Sequence, residues 1–411
     1  MHNVCLHCHV IWLATDMNVH PAYPREIITI DPARKRKLRS VVLQWYDQHG
    51  RRLPWRTSAD PYRIWLSEIM LQQTTVTAVV PYFERFVAKF PDVIALAAAH
   101  VDDVLRLWEG LGYYSRARNL HKAALAIEQN HGGVFPADAE SLMALPGIGR
   151  YTAGAIASFA FDQPAPIVEA NTERLYARML ALTDDVRSTA SQRKLWDFAT
   201  AIVPKNRPGD FNQALMDIGS QICRPQEPDC ERCPLRTCCA AFALGQQNEL
   251  PRRKPRAPVT AVDEICVVIR RRNRYLLRRR TDGERWAGMW DFVRFEVDAS
   301  ELEFLPTTAS QRRSKSERRL FAAPHGALSA TVRRQVYDQI GARIGDVVAT
   351  TQFTYSVTRY RVCLRSFLCD GTIAGSSGTD GVQWFTAAEL AELPLSKTGR
   401  RVADWLISRA T

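Results

Sequence analysis

From residue 33 to about residue 250, apolar residues recur at helical spacing in short runs, and Gly or Pro breaks the runs. The pattern predicts helices over 33–48, 60–72, 75–89, 101–109, 115–130, 138–144, 150–160, 171–182, 191–203 and 210–221. Gly50, Pro91, Gly110-Leu111-Gly112, Gly132-Gly133, Pro146-Gly147, Pro204 and Pro208 punctuate them. Residues 30–250 therefore read as an all-α domain of many short helices. At 251–260 the chain turns Pro-rich and basic, with PRRKPRAP over 251–258, which predicts a linker able to touch phosphate. Beyond it the period changes. Residues 265–269 and 275–277 read as strands around a basic hairpin turn at 270–274, and 352–368 and 382–385 are further β-like runs. Residues 331–340 and 387–393 read as helices. The span 261–411 is thus a separate α+β domain with a polar, flexible insertion at 298–320. The fold class expected is multidomain: all-α, then α+β.

A chain of 411 residues exceeds one ordinary core, in keeping with that division. Its formal net charge of +12 favours a polyanionic partner, of which nucleic acid is the commonest. No stretch approaches the roughly 20 apolar residues of a membrane helix. The start shows neither the basic region nor the small-residue cleavage site of an export signal. We therefore expect no membrane attachment, a monomer, and a cytoplasmic setting, nucleoid-associated if bacterial. Residues 1–25 read as a disordered extension, with Met17 as an alternative start. Their Cys5-Leu6-His7-Cys8-His9 matches a haem-attachment pattern, but that chemistry requires export.

Without export, disulfides are not the expected use of the ten cysteines, and five of the ten fall within 223–239. The spacing Cys223-x6-Cys230-x2-Cys233-x5-Cys239 sets four thiolates in one basic loop with no histidine inside it. Thiolates suit zinc or an iron–sulfur cluster. Structural zinc sites usually pair two C-x-x-C knuckles across a longer spacer, which this loop lacks. Cys238 is an alternative fourth ligand, although the spacing favours Cys239.

Two glycine turns suit DNA. In LPGIGRYTA (145–153), Gly147 and Gly149 let the backbone turn tightly and present N–H groups to a phosphate at the next helix start. In GLGYYSRA (110–117), two tyrosines between a glycine turn and a basic helix suit insertion into a base stack, the plainer alternative being a buried aromatic pair. For chemistry, a helix over 63–75 puts Glu68 on the apolar face with Ile64, Trp65 and Leu71. Burial there would raise its carboxyl pKa and keep a proton available near neutral pH. Glu169, just before a helix that Asn171 or Thr172 could cap, is a second carboxylate able to stabilise an oxocarbenium-like sugar.

The strings LPWR (53–56), PYRIWLSEIMLQQT (61–74), GLGYYSRARNLHKAA (110–124), LPGIGRYTAGAI (145–156), FNQALMDIG (211–219) and the cysteine loop resemble the adenine DNA glycosylases of the MutY type. These lie within the endonuclease III, helix-hairpin-helix superfamily. The last domain resembles that family's Nudix-like domain, so the resemblance covers nearly all the chain beyond residue 25. It implies a base-excision-repair enzyme that hydrolyses the N-glycosidic bond of adenine mispaired with 8-oxoguanine, or guanine, in double-stranded DNA. It implies one [4Fe–4S] cluster on Cys223, Cys230, Cys233 and Cys239. Glu68 would be the acid that protonates adenine at N7, and Glu169 would stabilise the sugar next to Asn171. Gln213 and Met216 would lie in the adenine pocket. Arg56, Gln73 and Thr74 would approach the mispair, and Tyr113 would be the wedge, with Leu111 nearby. Tyr151 falls where bifunctional relatives carry a lysine, so no Schiff base forms and the enzyme would be monofunctional.

Three departures from the family pattern follow. Glu169-Ala170-Asn171 stands where the family has Asp-Gly-Asn or Asp-Ala-Asn, one methylene shorter. Residues 332–340, VRRQVYDQI, lack the glutamates with which Nudix hydrolases bind metal, which implies recognition rather than hydrolysis. Tyr355-Ser356-Val357 matches the family's Phe-Ser-His loop at Ser356 but not at the histidine. The competing readings are an endonuclease III-like glycosylase/lyase on oxidised pyrimidines and a mismatch-binding protein with weak catalysis.

Overall fold

The computed structural model describes residues 30–253, 258–298, 302, 326–373 and 381–410. The expected extension at 1–25 and most of the insertion at 298–320 lie outside the described residues, as does the middle of the linker. In chain order the helices are α1 (Pro32–His49), α2 (Pro61–Leu71), α3 (Val76–Lys89), α4 (Val93–Ala97), α5 (Val101–Leu107), α6 (Ser115–His131), α7 (Ala139–Met143), α8 (Arg150–Phe161), α9 (Ala170–Met179), α10 (Thr189–Ile202), α11 (Pro208–Gln221), α12 (Ala240–Ala243), α13 (Gly326–Ile340), α14 (Ala387–Glu392) and α15 (Lys397–Ala410). The strands are β1 (Thr260–Arg271), β2 (Arg274–Arg279), β3 (Trp290–Asp291), β4 (Val293–Val297), β5 (Ala342–Val357), β6 (Tyr360–Ile373) and β7 (Val382–Thr386).

The chain divides into two compact units, and the division does not follow the expected domain boundary. Residues up to Ile69 join those from 130 to 254, whereas 70–129 join the chain from 255 onward. In the first unit, α1 packs Leu38 and Val42 against Leu175 and Tyr176 of α9, Phe198 of α10, and Phe211 and Ile218 of α11. Close approach is built in at Gly219, where a Cβ would lie 2.9 Å from the Asn171 backbone oxygen. Glycine there lets α11 meet the start of α9, which bears on the position of Glu169. The linker is tied down at its start: Val186 donates to the Arg252 carbonyl at 3.2 Å, and Arg253 pairs with Glu173 at 2.9 Å.

In the second unit one mixed sheet has the order β3-β2-β1-β6-β5, with β4 on β1 and β7 on β2. Among the described residues, β1 with β6 is the one parallel pair of that path. Both faces of β1 are covered. Ile265, Val267 and Ile269 pack with Leu328, Val332 and Val336 of α13, while Cys266 and Val268 pack with Val402, Ala403 and Leu406 of α15. Double burial explains why β1 reads as an unbroken apolar run. The basic turn expected at 270–274 is shorter, because β1 and β2 stay paired to Arg271 and Arg274. The run expected at 352–368 is two strands joined at Thr358-Arg359, with Thr358 at φ 51°. Helices α3 to α6 fall in this unit, and two ion pairs tie α5 and the turn after it to the later residues: Arg279 with Asp102, and Arg400 Nε with Glu109 at 2.8 Å.

Candidate active site and cysteine loop

Glu68 projects from α2 into the first unit and is 4% exposed, as its place on the apolar face predicts. The Tyr151 hydroxyl, from the first turn of α8, donates to its Oε2. Burial pushes the Glu68 carboxyl up to about 7. The Tyr151 hydrogen bond and the Arg56 charge pull against that rise, and Glu169 adds to it. Tyr151 Oη also lies 3.9 Å from the Met216 sulfur. Glu68 lines a cleft together with Trp55, Arg56, Phe159 and Gln213. A carboxylic acid still holding its proton near neutral pH, at a cleft wall, can donate that proton to a bound group.

Glu169 is held differently from the sequence expectation. Neither Asn171 nor Thr172 caps α9; Glu169 itself is the N-cap. Its Oε2 accepts from the Asn171 backbone N–H at 2.9 Å and its Oε1 from that of Thr172 at 2.9 Å. Asn171 Nδ2 adds a third donor at 3.2 Å, and Thr172 Oγ1 accepts from the Glu169 N–H at 2.8 Å, completing a capping box. The extra methylene of Glu is thus absorbed by a capping geometry that fixes the carboxylate. Burial raises the Glu169 pKa, against the lowering effect of the two backbone donors.

Arg56 sits on a second buried acid. Asp217 of α11 accepts from Arg56 Nη1 at 2.8 Å and Nη2 at 3.1 Å, and from Arg51 Nε at 2.6 Å. Gln213, one turn earlier, receives the Tyr46 hydroxyl on Oε1 at 3.1 Å. Sequence reading missed Asp217 and Tyr46. The signal for Asp217 was there: it follows Ala214 and precedes Ile218 on a face as apolar as that of Glu68.

The hairpin at 145–149 connects α7 to α8. Gly147 adopts φ 76° and is exposed, and exposed Gly149 is the N-cap of α8 with no side chain capping it. The first N–H groups of α8 are therefore not taken by a cap, as anion binding requires.

In the cysteine loop, Cys223, Cys230, Cys233 and Cys239 line one cavity, and none of them is in a disulfide. Cys238 packs instead into the helical core. Among the described residues no three His, Cys, Asp or Glu side chains are close enough to share a single ion. Four thiols lining one cavity with no histidine among them are a donor set that an iron–sulfur cluster accepts. Burial pushes the Cys233 thiol up to about 12, so a thiolate there needs a cation to hold it. The loop backbone is pinned by arginines of α9: Arg174 Nε donates to the Cys223 carbonyl at 2.6 Å, and Arg178 Nη1 to that of Arg224 at 2.7 Å.

Residues 66–200 match the HhH-GPD superfamily base excision DNA repair protein family, and residues 265–405 match the NUDIX domain. An adenine DNA glycosylase of Buchnera aphidicola subsp. Schizaphis graminum is 38% identical over 266 residues, 64% of this chain and 77% of that protein. The Homo sapiens adenine DNA glycosylase is 43% identical over 229 residues, 54% of this chain and 42% of that protein. This chain belongs to the adenine DNA glycosylase family. A solved thermostable thymine-DNA glycosylase is 28% identical and covers 52% of the chain and 98% of its own, with a TM-score of 0.48.

The remaining predicted residues of this glycosylase lie in the second unit. Gln73 (φ 57°) and Thr74 follow the end of α2, and Gln73 is exposed. Of the tyrosine pair, Tyr114 is buried, while Tyr113 is 48% exposed at φ 48°. The buried-pair alternative therefore holds for Tyr114 only. Leu111 is buried, and Arg116 donates to its carbonyl at 3.3 Å and to that of Gly112 at 3.2 Å, bracing the turn. Ser356 is exposed on β5, opposite Arg361 and next to the hairpin tip. No helix among the described residues is long and apolar enough to cross a membrane.

Proposed function

We propose that this enzyme is monofunctional and hydrolyses the N-glycosidic bond of adenine mispaired with 8-oxoguanine, or guanine, in double-stranded DNA. The observation that carries the reading is the buried, proton-retaining Glu68 at the cleft wall, held by Tyr151 where a lyase would need an amine. Adenine is a poor leaving group until N7 is protonated. Glu68 gives N7 its proton, the C1′–N9 bond breaks, and the fixed Glu169 carboxylate stabilises the oxocarbenium-like sugar until water adds. A tyrosine hydroxyl cannot form a Schiff base, so the strand stays intact.

Gln213 and Met216 contact the flipped base, Arg56 with Gln73 and Thr74 approaches the mispair, and Tyr113, with Leu111 behind it, fills the stack. Gly147 and Gly149 bind a backbone phosphate, and Asn171 supports Glu169. Ser356 on the Nudix-like domain reads the oxidised partner base. Cys223, Cys230, Cys233 and Cys239 would hold a [4Fe–4S] cluster, which supplies structural order to a short, helix-poor loop. The protein acts as a monomer in the compartment that holds the DNA.

Single-turnover assays on duplexes with adenine opposite 8-oxoguanine, adenine opposite guanine, and thymine glycol test this. Free adenine with strand breakage only after alkali is expected. Breakage without alkali on thymine glycol would support the lyase reading, and mispair binding without base release the weak-catalysis one.

A further inference from the structure

The basic β1–β2 turn has no part in the chemistry at Glu68, and its build is costly for a plain connector. Arg271 and Arg274 are cross-strand partners, and like charges directly opposite destabilise a hairpin. Arg272 between them adopts φ 54°, a left-handed conformation that such turns normally give to Gly or Asn. Buried Ile269, opposite buried Leu276, helps to hold the hairpin closed against both costs. The strands lie in the order β2-β1-β6-β5, and Asp370 of β6 is level with Arg270 of β1. Arg343 at the start of β5 is opposite Thr372, so it shares this end of the sheet. Three strand spacings, roughly 14 Å, carry the row from Arg274 to Arg343. Arg271, Arg272, Arg274 and Arg343 are all exposed. The acids at this end are engaged by other groups: Asp370 by Arg270 at 3.0 Å, Asp346 by Arg333 at 3.1 Å, and Glu389 by the Thr386 N–H at 2.6 Å. Among the described residues none of the four arginines has an ion-pair partner.

Strand register sets where this row lies. Ser356 is opposite Arg361, and Arg361 is level with Ala261 of β1. Arg271 lies ten residues further along β1, a distance of about 33 Å. The row therefore occupies the end of the sheet remote from Ser356. We infer that it binds the phosphate backbone of a second DNA segment, distinct from the duplex whose partner base Ser356 reads. That the segment is a second one rests on the proposed role of Ser356. Duplex DNA presents one negative charge per about 1.7 Å of its axis, and guanidinium forks match phosphate oxygens. Residues 271–274 offer no apolar or aromatic anchor of the kind that protein interfaces use. A bound phosphate relieves the Arg271–Arg274 repulsion, whereas a turn kept only for solubility has no reason to set those charges opposite each other.

The test is a bridging assay with the full chain. A bead-bound duplex of about 14 base pairs, with adenine opposite 8-oxoguanine at its centre, reaches roughly 24 Å to either side, short of the tip. The enzyme is loaded on it and offered a fluorescent duplex without a mispair. Wild-type enzyme should capture the second duplex, with an affinity that falls steeply as salt rises. The triple variant Arg271→Gln, Arg272→Gly, Arg274→Gln should lose capture on the order of tenfold, with a salt slope smaller by about 3. Changing the same three arginines to lysine should keep most of it. Binding to the bead-bound duplex and single-turnover adenine release from it should stay unchanged in both variants. Arg272→Gly alone relaxes the turn, so its several-fold loss of capture cannot come from unfolding. The inference is overturned by wild-type enzyme that captures no second duplex, by capture that survives either the triple variant or Arg272→Gly, or by polyglutamate that displaces the second duplex as well as DNA does. A triple variant that fails instead on the bead-bound duplex would place the tip on the lesion duplex, which also overturns it. Wild-type enzyme that captures the second duplex but releases no adenine would sink the proposed reaction and leave the tip standing, because capture is read without base release.

Discussion

Tyr151 of α8 donates its hydroxyl hydrogen to the Glu68 carboxyl of α2, joining two helices whose sequences lie 83 residues apart. The bond ties the helix that follows the glycine hairpin to the acid that the cleft depends on. It favours the charged form of Glu68, whereas burial favours the neutral one, and burial wins. The active form of the acid is the protonated one. Excision should therefore be fastest below pH 7 and fall about tenfold per pH unit above the Glu68 pKa. Tyr151→Phe removes an interaction that lowers that pKa, so the alkaline limb should move to higher pH. Single-turnover pH profiles of the two proteins measure this, and an unmoved limb would leave Tyr151 without influence on the acid.

Glu169→Gln keeps the length of the side chain and one acceptor for the α9 N-terminus, but removes the charge. Base release should drop by roughly 10²–10³-fold, the usual loss for an electrostatic stabiliser of a transition state. Binding to the mispair should survive, because the cap geometry that shapes the turn is largely retained. Near-normal single-turnover release would show that the carboxylate charge is not used.

Ser356 stands exposed on β5, one pair before a two-residue hairpin turn, where β5 and β6 pair without a break from Thr351 to Val357. Its hydroxyl is presented by a rigid ladder rather than a loose loop. Ser356→Ala should leave adenine release opposite guanine unchanged and reduce the preference for 8-oxoguanine by several-fold, about the worth of one hydrogen bond. Equal preference in mutant and wild type would assign the discrimination elsewhere.

The cysteine loop allows a discriminating pair. Cys239 lines the cavity with Cys223, Cys230 and Cys233, whereas Cys238 packs in the helical core. Cys239→Ser should lower iron and acid-labile sulfide in the purified protein, and Cys238→Ala should keep both. The reverse result would exchange the ligand assignment of the two neighbours.

Much of this was legible in the chain because the relevant signals are local. The apolar face around Glu68, the glycines of the hairpin and the cysteine spacing each lie within one short segment. What was hidden depends on the meeting of distant segments. Nothing near Glu169 says that its own side chain, one methylene too long for the usual cap, closes the box with Thr172. Nothing near Tyr46 says that it faces Gln213, 167 residues away. The amphipathic helix at Lys397–Ala410 was missed, and so was the grouping of 70–129 with the C-terminal unit. Arginine ion pairs such as Arg400–Glu109 run within that grouping, and charged side chains give no periodic signal.

Asp217 shows how such a long-range contact should weigh on stability. Its side chain is fully buried and receives both Arg51 and Arg56. Burial alone would raise its pKa; Arg56 and then Arg51 overcome that and hold it below the usual carboxylate range. A carboxyl depressed in the folded state contributes stability that is present above its unfolded pKa and lost as pH falls through the folded one. Asp217→Asn removes the charge but leaves two guanidinium groups at the site, so it should cost about 3–5 kcal/mol near neutral pH. The melting temperature should fall by on the order of 10 °C in a unit of this size. The gap between mutant and wild type should narrow as pH is lowered below about 4, where the carboxylate of the unfolded chain takes up a proton that the folded one still excludes. Thermal melts at pH 7 and in mild acid check both parts, and a mutant as stable as wild type at pH 7 would mean that the buried pair costs as much to desolvate as it returns.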